Sequence, residues 1–258
     1  MLEILYIDRD YVAVNKPSGL MVHRARGAPQ ETEFALQMIR DILGARVYPV
    51  HRLDKPTSGV LVFGRHAEAA SMLAEAFSNQ QVSKLYLAVV RGHAEAEGVI
   101  DKPLVKYREG KIRTGISQPA LTRYMRLGKV ELPYPVGPYN TARYSLLLIM
   151  PETGKFHQIR RHLQHISHPV IGDRAHGDSA HNRFFAEVFD CGRLLLTAAQ
   201  LVFSHPYTMK KINICAPLDD AFSRIILSFA WNCVLPREIT SYTWHSCLPS
   251  PVLIRKFL

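Results

Sequence analysis

The chain has 258 residues, of which 47% are hydrophobic and 21% charged, and this composition excludes a largely disordered protein. It carries 32 lysine and arginine residues against 22 aspartate and glutamate residues, a net charge of +10. Such an excess favours a polyanionic partner such as nucleic acid or an anionic membrane surface, although a basic but indifferent surface would have the same composition.

The first half of the chain alternates strand-like and helix-like segments. Residues 3–19 read as two short strands joined by an Asp-Arg-Asp turn and ended by Pro-Ser-Gly. Apolar residues recur at helical spacing over 32–43 and again over 69–77, which predicts two amphipathic helices. The segments 59–64 and 84–92 have the short apolar and alternating patterns of strands.

The second half is richer in strands. Residues 101–118 are polar, basic and without periodicity, which predicts a surface loop. Further strand-like runs lie at 119–127, 143–150, 194–203 and 212–216. A last helix is predicted around 222–229, with Asp219 or Asp220 as its N-cap. Because the strands outnumber the helices and do not alternate strictly with them, we predict an α+β fold with a mixed, largely antiparallel sheet flanked by helices.

The periodic pattern ends near Trp231, and three prolines punctuate the residues beyond it. We therefore predict one domain over residues 1–232 and a loosely attached tail over 233–258. No apolar run approaches the roughly 20 residues that cross a bilayer, and the first residues lack the pattern of a signal peptide. These features predict a cytoplasmic protein with no membrane contact.

One segment, HRLDKPTSG at residues 51–59, places a carboxylate between two cations in a turn that contains proline and glycine. A cation within about 4–6 Å lowers the pKa of an aspartate by roughly 1–3 units, so Asp54 would stay ionised and could act as a nucleophile or base. The alternative is a polar turn in which Asp54 makes a surface ion pair. Composition alone favours that alternative.

This segment resembles the catalytic signature of the RluA-type pseudouridine synthases, and other segments extend the resemblance in the family's order. They are NKPSG at 15–19, KLYLAVVRG at 84–92, PETGKFHQIRRHLQHISHPVIGD at 151–173 and RLLLTAAQLVFSHP at 193–206. Together they cover about residues 1–232. The resemblance implies the pseudouridine synthase catalytic domain, with a central cleft in which a uridine of RNA is isomerised without a cofactor.

The resemblance also implies roles for single residues. Asp54 would be the catalytic carboxylate, Arg160 the arginine that pairs with it, and Tyr86 an aromatic face that stacks on the flipped uracil. Arg52 would enter the RNA stack where the base leaves. Without the family, Arg160 would read as a solvated helix residue, Tyr86 as cross-strand packing and Arg52 as a phosphate clamp.

We assign RNA binding to the cations that accompany these residues. The residues are His51, Arg52, Lys106, Arg108, Lys111 and Arg113. The chain enters its catalytic domain without an S4 RNA-binding module, and the runs QPALTRY and DDAFSRIILSFAWNCVLP resemble a branch of the family that acts on tRNA. This implies tRNA as the substrate, at the uridine of tRNA position 65, while sibling enzymes modify ribosomal RNA with the same chemistry. Two departures from the family are Lys155, where arginine is usual, and Thr197, where histidine is usual.

Two other classes of function compete with this interpretation: a non-catalytic RNA-binding module, and a hydrolase that uses Asp54 and the histidine-rich segment 157–181 to bind a metal. The histidines have neither an H-E-x-x-H pattern nor a nearby cysteine, so we expect them to cap helices or face RNA. The four cysteines form no C-x-x-C pair and are expected to be reduced. We predict no metal, no cofactor, no obligate protein partner and a monomer.

Overall fold

The structure, a computed structural model, describes residues 2–23, 33–107 and 113–236, and these ranges contain twelve strands and five α-helices. The strands are β1 (Glu3–Ile7), β2 (Tyr11–Lys16), β3 (Tyr48–Pro49), β4 (Ser58–Gly64), β5 (Ser83–Arg91), β6 (Glu97–Asp101), β7 (Leu104–Tyr107), β8 (Arg113–Gln118), β9 (Leu121–Leu132), β10 (Ala142–Pro151), β11 (Leu196–Ser204) and β12 (Lys211–Cys215). The helices are α1 (Ala35–Leu43), α2 (Ala67–Ser78), α3 (Gln158–His165), α4 (Ser179–Phe189) and α5 (Asp220–Ser228), and a short 3₁₀ helix spans Asn232–Val234.

Ten of the strands form one sheet in the order β1-β2-β4-β11-β5-β10-β9-β6, with β12 on β11 and β3 on β4. Every pairing in it is antiparallel except β4 with β11, where Thr197 lies opposite Ser58 and Ala198 opposite Gly59. The predicted α+β fold with a mixed, largely antiparallel sheet is confirmed. The single parallel pairing joins the two halves of the chain at the middle of the sheet.

The strongly periodic elements are where the sequence predicts them. Helix α1 ends at Gly44, whose φ of 59° is the left-handed conformation that glycine adopts without steric cost. Helix α5 begins after Asp219, whose Oδ1 accepts the Phe222 N–H at 3.0 Å. Of the two predicted N-caps for α5, Asp219 is therefore the correct one.

The prediction of a loop over 101–118 is wrong, because β7 and β8 pair there as a two-stranded antiparallel sheet. Leu104 is buried, but the other described side chains of these two strands are exposed or partly exposed, so the sequence shows no apolar alternation. The sequence patterns also do not predict helices α3 and α4. Two of the buried side chains of α3 are Arg160 and His162, so the buried face of this helix carries charge instead of an apolar stripe.

Strand β5 separates two hydrophobic clusters. Leu87 and Val89 pack with α4 and α5 on one face, and Ala88 and Val90 pack with α3 on the other, as the predicted alternation requires. Tyr86 contacts the α3 cluster and also the cluster beneath α1. A cleft can therefore open beside Tyr86, where two separately packed parts of the molecule meet.

The predicted domain boundary at residue 232 stays a prediction. Trp231 and Leu235 are both buried in the cluster that contains α4 and α5. The rest of the predicted tail, residues 237–258, lies outside the described residues. Among the described residues, no helix is long and apolar enough to cross a membrane.

Candidate active site

A cleft of about 1070 Å³ lies beside Tyr86, where β4, β5 and β11 meet. Four segments supply most of its lining: residues 50–57, the C-terminal half of α2 with the turn after it, the start of β5, and the connection from the end of β10 into α3. The cleft thus collects side chains that lie more than 100 positions apart in the sequence. Asp54, Tyr86 and Arg160, which the sequence singles out separately, all line it.

The loop that carries Asp54 is fixed from below by buried contacts. Gly59 has a φ of 109°, and a Cβ there would lie 2.2 Å from the Ala198 carbonyl oxygen on β11, so glycine is required for the strands to approach. Lys16 is fully buried, and its Nζ donates to the carbonyl oxygens of Pro17, Leu20 and Lys55 at 2.8, 2.7 and 3.1 Å. The NKPSG segment is thereby tied to the residue that follows Asp54.

Arg160 holds two carboxylates at once. Its Nε and Nη2 donate to Asp173 at 2.7 and 2.8 Å, while its Nη1 donates to Asp54 Oδ2 at 3.1 Å. Side-chain exposure is 5% for Arg160, 0% for Asp173 and 19% for Asp54. The arginine is therefore anchored by the buried carboxylate and presents its remaining nitrogen to the exposed one.

Asp173 belongs to a tight turn that satisfies its oxygens. Oδ1 also accepts the N–H groups of Ala175 and His176, both at 2.9 Å. Burial alone would raise the pKa of Asp173, but the hydrogen bonds and charge of Arg160 outweigh it and hold that pKa below its usual value. Sequence reasoning misses this residue, although it is the last residue of the segment PETGKFHQIRRHLQHISHPVIGD.

Tyr86 lies on the wall of the cleft near Asp54. Burial raises the pKa of its phenol, and the negative charge of Asp54 raises it further. Tyr86 is therefore a neutral aromatic face at neutral pH and cannot serve as a phenolate.

His157 lines the same cleft and is paired with His176, and the sequence analysis places both only within the histidine-rich segment 157–181. His157 Nε2 lies 3.8 Å from Asp54 Oδ2, and His157 Nδ1 lies 2.9 Å from His176 Nε2. The backbone of His157 is left-handed, with a φ of 52°, just before α3. The ring of Phe156, which is exposed, stacks on His157 with the centroids 3.7 Å apart. An unusual backbone and two ring contacts therefore fix the imidazole beside the carboxylate.

The predicted RNA-binding residues near Asp54 differ in their surroundings. Arg52 is exposed at the cleft. His51 accepts the Val62 N–H at its Nε2 and stacks on Phe77 with centroids 4.6 Å apart. Burial lowers the pKa of His51 to about 3, so its ring is neutral and holds the loop against β4 instead of offering a positive charge to phosphate.

Two of the other predicted RNA-binding residues belong to the paired strands β7 and β8, which we call the hairpin. Lys106 is on β7, the backbone of Arg113 is on β8, and Arg108 and Lys111 lie outside the described residues. The Val105 carbonyl oxygen accepts a hydrogen bond from Arg161 Nη1 at 3.2 Å. This contact ties the hairpin to α3, the helix that supplies Arg160.

The two departures from the family pattern occupy different surroundings. Lys155 lines the cleft, and its backbone N–H donates to Gln158 Oε1 at 2.9 Å, which helps to start α3. Thr197 is buried on β11, opposite Ser58 on β4. Lys155 is thus placed to meet a ligand directly, whereas Thr197 is packed beneath the loop.

Within the described residues, the one grouping of three possible metal ligands is Asp8, Asp10 and His205, and it does not include Asp54. His205 Nδ1 accepts the N–H groups of Tyr207 and Thr208, so Nε2 carries the proton and donates to Asp8 Oδ2 at 3.0 Å. His205 thus links the turn that contains Asp8 to the turn that contains Tyr207 and Thr208 through hydrogen bonds. The histidine-rich segment does not bring Asp54 into a metal-binding group in the part of the chain that the structure describes.

The comparison with protein families and with known sequences agrees with this arrangement. The family model for RNA pseudouridylate synthase matches residues 10–165. The chain is 46% identical over 241 residues to tRNA pseudouridine synthase C of Vibrio vulnificus, which covers 91% of this chain and 98% of that protein. It is also 46% identical over 236 residues to tRNA pseudouridine synthase C of Haemophilus ducreyi, covering 90% and 97%.

Solved structures agree with the fold. Human RNA Pseudouridylate Synthase Domain Containing 1 superposes with a TM-score of 0.68 at 24% identity, covering 99% of this chain and 94% of that one. Human RNA Pseudouridylate Synthase Domain Containing 4 gives a TM-score of 0.67 at 25% identity, with 88% and 93% covered. With the family model matching more than half of the chain, and relatives 46% identical over nine tenths of it, this protein belongs to the RNA pseudouridylate synthase family.

Proposed function

We propose that this family member isomerises a uridine of tRNA to pseudouridine, at tRNA position 65. The observation that carries the proposal is the placement of Asp54, held by Arg160 on one oxygen and open to a large basic cleft. The near full-length likeness to proteins named tRNA pseudouridine synthase C supports tRNA as the substrate. An isomerisation exchanges no electrons and transfers no group to a second molecule, so it requires no organic cofactor.

Asp54 is the residue to which we assign the central step. Its carboxylate attacks or deprotonates the target nucleotide, the glycosidic C–N bond breaks, the uracil turns, and a C–C bond forms. Arg160 supports this role because its charge-assisted hydrogen bond fixes the direction of one carboxylate oxygen. Tyr86 supplies a neutral aromatic face, which can hold a base by stacking while the base rotates.

Extrusion of the uridine from its stack costs a few kcal/mol. The exposed guanidinium of Arg52 at the cleft can offset part of this cost by stacking in the vacated space or by binding phosphate. Lys155 adds a further positive group at the cleft. With a net charge of +10 over the chain, these residues suit a compact RNA whose stem presents many phosphates near the target.

Paired RNA is read mainly through its shape and backbone, because the major groove of an A-form helix is too narrow for side chains. The cleft and the hairpin fixed to α3 are the surfaces that we assign to this contact. A monomeric protein acting in the cytoplasm, where tRNA is found, stays a prediction from the sequence.

The decisive experiment incubates the purified protein with unmodified tRNA transcripts and with ribosomal RNA fragments, and then maps pseudouridine in both. We expect one modified uridine, at tRNA position 65, and none in a transcript with cytidine at that position. Asp54→Asn protein is the matched control for contaminating activity. Modification of only the ribosomal fragments would reject tRNA as the substrate while leaving the chemistry intact.

The same experiment decides between the proposal and the two competing classes of function. A protein that binds tRNA tightly but forms no pseudouridine would be the non-catalytic binding module. Metal analysis of the purified protein, with cleavage products sought on the same gels, tests the hydrolase. Stoichiometric metal that is lost on replacing Asp54 would favour that alternative.

A further inference from the structure

The histidine pair connects two separate cavities. His157 lines the main cleft, whereas His176 lines a second opening of about 440 Å³ together with Arg91 and Asp178. The hydrogen bond of 2.9 Å between His157 Nδ1 and His176 Nε2 bridges the two. One imidazole therefore faces Asp54, and its partner faces a second opening on the surface.

The reaction requires a base that removes a proton from C5 of the uracil, and the roles proposed above assign no residue to this step. Once the uracil has turned and C5 has bonded to the ribose, C5 still carries its hydrogen, and pseudouridine forms only when that proton leaves. A base must therefore lie near the reacting carbon. Asp54 is committed to the nucleotide, and the phenol of Tyr86 has a raised pKa and is a poor base.

His157 has the properties of such a base. Its pKa is lowered to about 4 because the ring is buried. The charges of Arg160 and His176 lower the pKa further, whereas those of Asp54 and Asp173 act in the opposite direction. Burial likewise lowers the pKa of His176. The positive charges of Arg160 and Arg161 lower it further, whereas the negative charges of Asp173 and Asp54 raise it. Both rings are therefore neutral near pH 7, and a neutral imidazole has one nitrogen that can take a proton.

Resting on the proposed function, we propose that His157 removes the C5 proton of the target base and passes it through His176 to the second opening. This role requires the tautomer in which the proton between the two rings lies on His157 Nδ1, which leaves a lone pair on Nε2 toward the cleft. The 3.8 Å between this nitrogen and Asp54 Oδ2 places the base beside the carboxylate that acts on the nucleotide. His157 is thus a catalytic residue, and His176 positions it and relays its proton.

The step is balanced without any further reactant. The C5–H bond breaks, its electron pair forms the C5–C6 double bond, and the C6–N1 π pair moves to N1, which takes a proton from water. His157 Nε2 gains the C5 proton, Nδ1 gives its proton to His176 Nε2, and His176 Nδ1 releases one to solvent. The starting state is restored after product release, when His157 Nε2 gives its proton to water in the emptied cleft, the proton between the rings returns to His157 Nδ1, and His176 Nδ1 takes a proton from solvent.

The test is single-turnover pseudouridine formation on tRNA transcripts made with uridine or with 5-deuterated uridine. The variants are His157→Asn, whose side chain tolerates a left-handed backbone, and His176→Gln. We expect both to slow the reaction, by about 10²–10⁴-fold for His157→Asn, and to show a primary isotope effect larger than that of the parent. His165→Gln, an exposed histidine on the same helix, should match the parent in both respects.

A third variant tests the relay itself. His176→Ala should regain rate when free imidazole is added, because the second opening gives a small base access to the end of the pair. Slowed variants with the isotope effect of the parent and no rescue would overturn the proposal, since a purely structural loss does not single out C–H cleavage. So would variants that retain the full rate. A parent protein that forms no pseudouridine would instead overturn the proposed function, and this inference with it.

Discussion

Two carboxylates share one arginine in this protein, and they differ in almost everything else. Asp173 lies in the turn before α4 and is fully buried. Its oxygens accept hydrogen bonds from Arg160 and from two backbone N–H groups. Asp54 lies in an open loop, is 19% exposed, and takes a single bond of 3.1 Å from the same arginine. The comparison separates a carboxylate that organises the site from one that is free to react.

The difference has a physical basis in the cost of burying charge. A buried ion pair is tolerated when its geometry is good and its remaining lone pairs are satisfied, and both conditions hold at Asp173. A carboxylate with all of its lone pairs occupied is a poor nucleophile. Asp54 differs because Asp173 anchors Arg160. The second carboxylate oxygen of Asp54 can therefore contact a substrate.

Replacing the open carboxylate should give the largest effect on activity. Asp54→Asn keeps the shape but can neither attack nor take a proton, so we expect turnover to fall at least about 10³-fold, or about 4 kcal/mol. The melting temperature and tRNA affinity should change little, because Arg160 keeps both of its bonds to Asp173. Turnover within tenfold of the parent would remove Asp54 from the catalytic role.

Removing the shared arginine should deprive both carboxylates of their hydrogen-bond donor at once. Arg160→Met leaves Asp173 charged, fully buried and without its cation, and breaking such a pair costs on the order of 3–5 kcal/mol. We expect loss of activity and a clearly lower free energy of unfolding in urea. Arg183→Met, at an exposed arginine on α4, is the control. If Arg160→Met melted like the parent, the pair would contribute nothing to the fold.

Replacing the anchoring carboxylate should be milder and should depend on pH. Because the pKa of Asp173 is lower in the folded protein, its charge stabilises the fold above the unfolded pKa of about 4, and this contribution is lost as the pH falls below that value. Asp173→Asn should therefore cost about 1–3 kcal/mol at pH 7 and progressively less in acid. Urea titrations at several pH values measure this, and parallel curves for the two proteins would contradict it.

The contrast between the two carboxylates also explains what the sequence could predict. Asp54 lies in a nine-residue segment, HRLDKPTSG, with a distinctive pattern, and the strongly periodic elements α1, α2, β4 and β5 lie where their patterns place them. Asp173 follows a glycine in a turn and has no local pattern of its own. Its importance comes from a partner 13 positions away, and only the three-dimensional arrangement reveals it.

The other failures have a similar origin. Helix α3 buries Arg160 and His162, so a search for an apolar stripe passes over it. His162 Nδ1 lies 2.9 Å from Thr122 Oγ1 on β9, a pairing across 40 positions that no spacing rule anticipates. Buried polar groups are stabilised by partners that are distant in the chain, whereas apolar periodicity is a property of adjacent residues.

The smallest predicted effect concerns the basic segment 106–113, which includes parts of β7 and β8. Each phosphate contact adds roughly 0.7–0.9 to the slope of log affinity against log salt concentration. A quadruple change to serine should therefore flatten the slope for tRNA binding, while the rate at saturating tRNA stays close to that of the parent. The residues changed are Lys106, Arg108, Lys111 and Arg113.

Rate and salt slope should separate because the Val105 carbonyl oxygen, a backbone group that the substitutions leave in place, makes the hydrogen bond to α3. The control changes four exposed cations outside the cleft by the same total charge. They are Arg183, Lys210, Lys211 and Arg224. If both variants flatten the slope equally, tRNA responds to the overall charge of the protein and not to the hairpin. If only the control flattens it, the phosphate path runs over α4, α5 and β12.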